Sequence, residues 1–210
     1  MRIPLESSAR WVLIGDSITD CGRRTCPEAI GSGYPRLIRD WLLSAWSHKA
    51  PQIINTGISG HKVPDLQARW DEDVLAHEPA LVSIKIGIND VWHGLGGRNN
   101  GTPHAEFVEG YERLIARLKE KFPSVILVLC EPSVIWAPAP EEGNRELQPY
   151  IETVRALAKK HDAYSVPLHT AFERAKALRP DISWAPDGVH PSSSGHMLIA
   201  RTWLATLGLL

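Results

Sequence analysis

The chain has 210 residues, 43% of them hydrophobic, and a formal net charge of -1. That length buries one sizeable core and little more, so a single domain over 1–210 is expected. The balanced charge, without any lysine-arginine run, offers no field to nucleic acid or an anionic membrane, and no stretch approaches the ~20 apolar residues of a membrane span, so neither is an expected partner. The first apolar run also begins too close to Met1 for a signal segment, which makes the cytoplasm the expected location.

In chain order, the short apolar runs 11–15, 52–55, 80–86, 125–130 and 163–166 read as strands bounded by turn residues. Helical spacing fills the gaps. Phe107, Tyr111, Leu114, Ile115 and Leu118 fall on one face of a helix whose other side carries Glu106, Glu109, Arg113, Arg117 and Lys119. Ile151, Val154, Leu157 and Ala158 repeat that spacing within 145–161, where Pro149 predicts either a helix start or a kink. Strands alternating with helices predict right-handed crossovers and a parallel sheet covered on both faces, an α/β three-layer α/β/α sandwich. Ligands of such sheets bind beyond the carboxyl ends of the strands. Ser17, Gly60, Asn89 and Glu131 each follow a strand and therefore share that edge, and the irregular, glycine-rich stretch 92–103 is placed to wall it.

The chemistry starts at Ser17, where an apolar strand runs directly into a hydroxyl. A serine in that place is ordinarily a helix cap or turn former. Here Asp187 and His190 stand one turn apart downstream, so a carboxylate can orient an imidazole locally and the three supply nucleophile, base and orienter. The segments 55–60 and 87–90, each after a strand, are where donors to a developing oxyanion are expected. Asp16, Asp20 and Asp90 read as acceptors for local backbone amides. His61, His93, His104 and His196 lack the short helical pairing of a zinc site, and Cys21, Cys26 and Cys130 lack metal-ligand spacing and are expected to be reduced thiols; no metal and no cofactor is expected.

The blocks Gly15-Asp16-Ser17, Gly60, Gly87-Ile88-Asn89-Asp90 and Asp187-Gly188-Val189-His190 resemble, in type and order, those of the SGNH hydrolases, also called GDSL esterases. The resemblance implies a flavodoxin-like five-stranded parallel sheet of order 2-1-3-4-5. It further implies that Ser17 attacks an ester carbonyl, with the backbone amides of Ser17 and Gly60 and the side-chain amide of Asn89 as the oxyanion hole, His190 as base and Asp187 as its partner. Segments 14–22, 55–60 and 86–92, with Gly195-His196-Met197 after Pro191, look most like bacterial intracellular acetyl xylan esterases. Those enzymes place a tryptophan immediately before the triad aspartate. Here Pro186 fills that position and Trp184 lies earlier, which bears on the acyl acceptor.

The implied function is hydrolysis of short-chain carboxylic esters through an acyl-serine, on a small-molecule ester or an acetylated oligosaccharide such as an acetylated xylooligosaccharide. A thioesterase or lysophospholipase using the same triad, and a flavin- or glycan-binding module of the same fold, are the alternatives. Relatives of this type can assemble into homo-oligomers. Of the eight tryptophans, Trp11, Trp41, Trp46 and Trp203 fall on predicted regular elements and read as packing residues. Trp92, Trp136 and Trp184 fall on loops at the active edge, where an indole can stack on a sugar or wall an acyl pocket, or equally pack into the core.

Overall fold

The computed structural model describes residues 3, 5–97, 99–133 and 140–210. Five strands, β1 (Arg10–Gly15), β2 (Gln52–Asn55), β3 (Leu81–Lys85), β4 (Ile126–Cys130) and β5 (Tyr164–Val166), pair in parallel in the order β2-β1-β3-β4-β5. The third strand is shorter than the apolar run 80–86 because the ladder ends at Lys85, opposite Gly15 and Cys130. β1, β3 and β4 are interior strands, and almost every residue in them is buried, as expected of strands covered on both faces. β2 lies on an edge and leaves Gln52 exposed.

The helices are α1 (Ser17–Asp20), α2 (Tyr34–Trp46), α3 (Val63–Ala68), α4 (Trp70–Asp73), α5 (Ile88–Trp92), α6 (His104–Lys121), α7 (Pro140–Lys160), α8 (Leu168–Leu178) and α9 (Ser193–Thr206). α2 and α8 pack against α9 on one side of the sheet, and α3 and α7 against α6 on the other. The face of α6 read from its spacing is the buried one, and Phe107, in its first turn, lies edge-on to Tyr111 and Tyr150.

α7 begins at Pro140 and continues through Pro149, so the helix does not start at that proline. Pro149 deletes the amide that would bond the Arg145 carbonyl. Both residues are exposed, which lets water satisfy that carbonyl.

Trp11 and Trp203 are fully buried with ring centroids 5.9 Å apart, and the Trp203 indole N–H donates to Ser83 Oγ at 2.9 Å. Trp41 departs from its expected packing role. It is 41% exposed, and its indole N–H holds the Leu209 carbonyl at 2.7 Å, tying the carboxyl end of the chain to α2. Trp70, on α4, is a core residue instead.

Candidate active site

Three strand-end segments and one loop converge at the carboxyl edge of the sheet. The first turn, after β1, is pressed against its neighbour: a Cβ on Gly15 would lie 2.2 Å from the Lys85 carbonyl oxygen, so only glycine fits. Asp16 caps α1, its Oδ1 accepting the Ile18 N–H at 2.9 Å, and Ser17 is the first helical residue. An amide in that position has no acceptor inside the helix and is available to a ligand.

The second segment, after β2, is laid onto α1 by Asn55. Its Nδ2 donates to the Thr19 and Ile30 carbonyls at 2.7 and 2.9 Å, and its Oδ1 accepts the Gly57 N–H at 2.9 Å. Asp20 adds a second tie, its Oδ2 accepting both the N–H and the hydroxyl of Ser59. Gly60 follows at φ +82°, where glycine is favoured, and open space surrounds the position a Cβ would take.

The third segment, after β3, turns at Gly87 (φ +118°) into α5 and buries Asn89. Asn89 Nδ2 donates to the His61 carbonyl at 3.1 Å. That bond uses one of its two hydrogens and leaves one donor for a ligand. Asp90 Oδ1 accepts the Val63 N–H at 3.1 Å, fixing the second segment to the third. Asp20 and Asp90 thus serve backbone amides as the sequence suggests, but amides of other segments as well as their own.

The last loop brings the imidazole. His190 Nε2 lies 2.7 Å from Ser17 Oγ, and His190 Nδ1 lies 2.5 Å from Asp187 Oδ2. Asp187 Oδ1 accepts the N–H groups of Val189 and His190 at 3.0 and 2.7 Å. Burial works to raise the Asp187 carboxyl, but those two amides and the imidazole outweigh it and hold the group below its ordinary value. An ionised carboxylate on Nδ1 fixes the proton there, so Nε2 presents its lone pair to the serine hydroxyl.

Sequence reasoning missed Arg69. Its guanidinium bonds the carbonyls of Thr56 and Gly15 at 2.5 and 3.1 Å, donates to His61 Nδ1 at 3.1 Å and pairs with Asp73. It therefore ties the ends of β1 and β2 to the residue that anchors Asn89. In the sequence it reads only as the i,i+4 partner of Asp73. For His196 the sequence shows the residue but not its contacts. Its Nδ1 accepts the Tyr34 N–H at 3.2 Å, its Nε2 lies 3.6 Å from Cys21 Sγ, and burial lowers its pKa to about 4, so it stays neutral.

Trp92 is half-buried against the core, with its ring 5.7 Å from that of His93. Trp184 donates its indole N–H to the Arg179 carbonyl at 3.1 Å and lines a groove of about 770 Å³ between α8 and α9, along with Leu178 and Leu198. Trp136 lies outside the described residues. Among the described residues no group of three or more His, Cys, Asp or Glu side chains is gathered to hold a metal ion, and no helix is long and apolar enough to cross a membrane.

Comparison with known proteins gives the family. Residues 13–198 match the GDSL-like Lipase/Acylhydrolase family, and the chain belongs to that family, as a carboxylic-ester hydrolase. It is 35% identical to an acetylxylan esterase of Geobacillus stearothermophilus across 97% of this chain and 96% of that protein. An arylesterase of Vibrio mimicus is 25% identical over 95% of this chain and 86% of its own length. Among solved structures, a GDSL-like protein of Parabacteroides merdae superposes with a TM-score of 0.92 at 34% identity and full coverage of both chains. The Geobacillus esterase superposes at 0.87 with 32% identity, covering 98% of this chain and 97% of its own.

Proposed function

We propose that this protein is a single-domain serine esterase that removes short acyl groups, acetate above all, from a carbohydrate such as an acetylated xylooligosaccharide. The observation that carries the reading is the relay from Ser17 Oγ to His190 Nε2 and from His190 Nδ1 to Asp187. His190 takes the hydroxyl proton as Ser17 Oγ bonds the acyl carbon, and the carbonyl π electrons move onto oxygen. The amides of Ser17 and Gly60 and the free hydrogen of Asn89 Nδ2 receive that charge, and removing one such donor typically costs ~10²–10³ in rate. The C–O bond to the alcohol breaks as His190 returns its proton to the leaving oxygen. Water, deprotonated by the same imidazole, then bonds the acyl carbon, and the acid leaves as the bond to Ser17 Oγ breaks and His190 returns the proton to that oxygen.

The acetylated-carbohydrate half of the reading rests on similarity to the Geobacillus acetylxylan esterase. Solved forms of that enzyme described as catalytic mutants change a serine, an aspartate and a histidine, the last two three positions apart as Asp187 and His190 are. That enzyme has a tryptophan immediately before its aspartate, whereas Pro186 precedes Asp187 here. Free Cys21, Cys26 and Cys130 suit a reducing, cytoplasmic setting. Hydrolysis of p-nitrophenyl acetate against longer acyl chains, followed by acetate release from acetylated xylooligosaccharides, tests the reading. Fast acetate ester turnover with sugar deacetylation is expected. A preference for long acyl chains or thioesters, or for aryl esters with no sugar deacetylation, contradicts it.

A further inference from the structure

Beneath the nucleophile turn lies a lysine for which the catalytic relay has no use. Lys85 ends β3 and is completely buried. The strand register sets it directly beside Gly15, the residue before Asp16, and beside Cys130 on β4. Side chains alternate along a strand, so Lys85 shares with Ser83 the face on which Trp203 of α9 packs. Its ammonium has three hydrogens, and its one hydrogen-bond partner among the described residues is Ser133 Oγ at 3.5 Å. Asp16 is equally buried, and while its Oδ1 caps α1, its Oδ2 has no partner among the described residues.

The groups facing this pocket from every packed element are few. Cys130 of β4 is pushed up to about 12 by burial, Tyr34 of α2 is raised well above its ordinary value by burial, and His196 of α9 is lowered to about 4. All three are neutral near pH 7. Glu131, next along, is paired with Arg155. Asp90 of α5 and His190 also act on Asp16, and among the groups that act on Lys85 the Asp16 carboxylate comes first: burial pushes the lysine down and the carboxyl up, and each opposes the shift of the other.

We propose that Lys85 is a positioning residue for the nucleophile: its buried ammonium compensates the Asp16 carboxylate, which holds the first turn of α1 and so sets Ser17 Oγ under His190. This rests on the reading of Ser17 as nucleophile. It gives the one buried charged residue in the sheet a role in the reaction without contact with substrate.

The test is a double-mutant cycle of Lys85→Met and Asp16→Asn, read by thermal unfolding, by steady-state kinetics on p-nitrophenyl acetate across pH, and by the rate of fluorophosphonate labelling. Lys85→Met should lower kcat and labelling rate by about 10- to 100-fold with little change in KM, the scale expected of a misplaced reacting group. Its Asp16 loses a compensating cation and takes up a proton at higher pH, so the acidic limb of kcat should move upward. The double variant, with neither charge, should recover part of the loss in both rate and unfolding midpoint. A folded Lys85→Met with wild-type kcat, labelling rate and pH profile overturns the proposal, as does strict additivity in the cycle. If Lys85→Met does not fold, a folded double variant supports the pairing and an unfolded one contradicts it. Should the wild-type enzyme not label at Ser17, the functional reading fails first; labelling at Ser17 with no response to Lys85→Met leaves that reading standing and removes only this inference.

Discussion

The turn that carries Ser17 and the loop that carries Asp187 and His190 meet across a single 2.7 Å bond, yet they are held by different means. Around Ser17 the holding groups are buried and come from several elements: the Lys85 carbonyl against Gly15, the Asn55 carboxamide, Asp20 and the guanidinium of Arg69. The base loop lacks regular secondary structure. The side chains of Asp187 and His190 are 56% and 42% exposed, and the loop is organised mainly by the three bonds Asp187 makes to Val189 and His190. The geometry at Ser17 is thus a property of the fold, whereas the geometry at His190 is a property of a four-residue turn. Changes to the groups that hold the Ser17 turn should cost stability along with rate, whereas changes to Ser17 itself or to the loop of Asp187 and His190 should cost rate alone.

The largest effect should come from the relay itself. Ser17→Ala or His190→Ala is expected to lower kcat/KM by ~10³-fold or more, with the unfolding midpoint nearly unchanged because neither side chain belongs to the apolar core. Asn89→Ala comes next. A loss of ~10²–10³, mostly in kcat, is expected from the missing donor. A loss confined to KM would assign Asn89 to ground-state binding instead.

Arg69→Met sharpens the comparison from the fold side. It leaves the Gly15 and Thr56 carbonyls and the Asp73 carboxylate without their cation, and a cost of about 2–4 kcal/mol in unfolding free energy is expected alongside slower turnover. An Arg69→Met protein of wild-type stability but low activity would place Arg69 with the base loop rather than with the fold.

The smallest effects are those of pH on stability, where two buried groups oppose each other. Desolvation raises Asp90 from 3.8 to about 6, so the folded state holds that proton more tightly. The resulting penalty is absent below about pH 4 and complete above about 6. His196 runs the other way: lowered from 6.5 to about 4, it gives stability that is full above 6.5 and lost as pH falls to about 4. Each shift spans about two pKa units, on the order of 3 kcal/mol, and the two nearly cancel in the wild type. Unfolding midpoints measured from about pH 4 to 7 should therefore fall on acidification in Asp90→Asn and rise in His196→Gln. Parallel pH curves for the two variants would contradict both assignments.

Much of this was legible before any coordinates. The apolar runs fix five strands, their alternation with helices fixes a parallel sheet, and the rule that ligands bind beyond strand carboxyl ends puts Ser17, Gly60 and Asn89 on one edge. The Asp-x-x-His spacing needs no tertiary information, because a turn that short brings its own ends together. What stayed hidden depends on long-range contact. Arg69 looks like a helix-surface partner of Asp73 until strand-end carbonyls arrive beside it, and Lys85 looks like the polar end of a strand until α9 covers it. Trp41 was read as packing because it lies on a helix, but helical position alone does not say which face meets the core. At Pro149 the sequence offers a helix start or a kink, and of these the start does not occur, because the Arg145 carbonyl left without a partner is at an exposed position where water reaches it.

The central claim is that Ser17 is the nucleophile the other segments exist to serve, and the most direct measurement is the site of covalent modification by a fluorophosphonate, mapped by peptide mass spectrometry. The modification is expected on Ser17 alone, lost in Ser17→Ala and slowed in His190→Ala. Modification on another serine, or labelling that survives Ser17→Ala, would contradict the account.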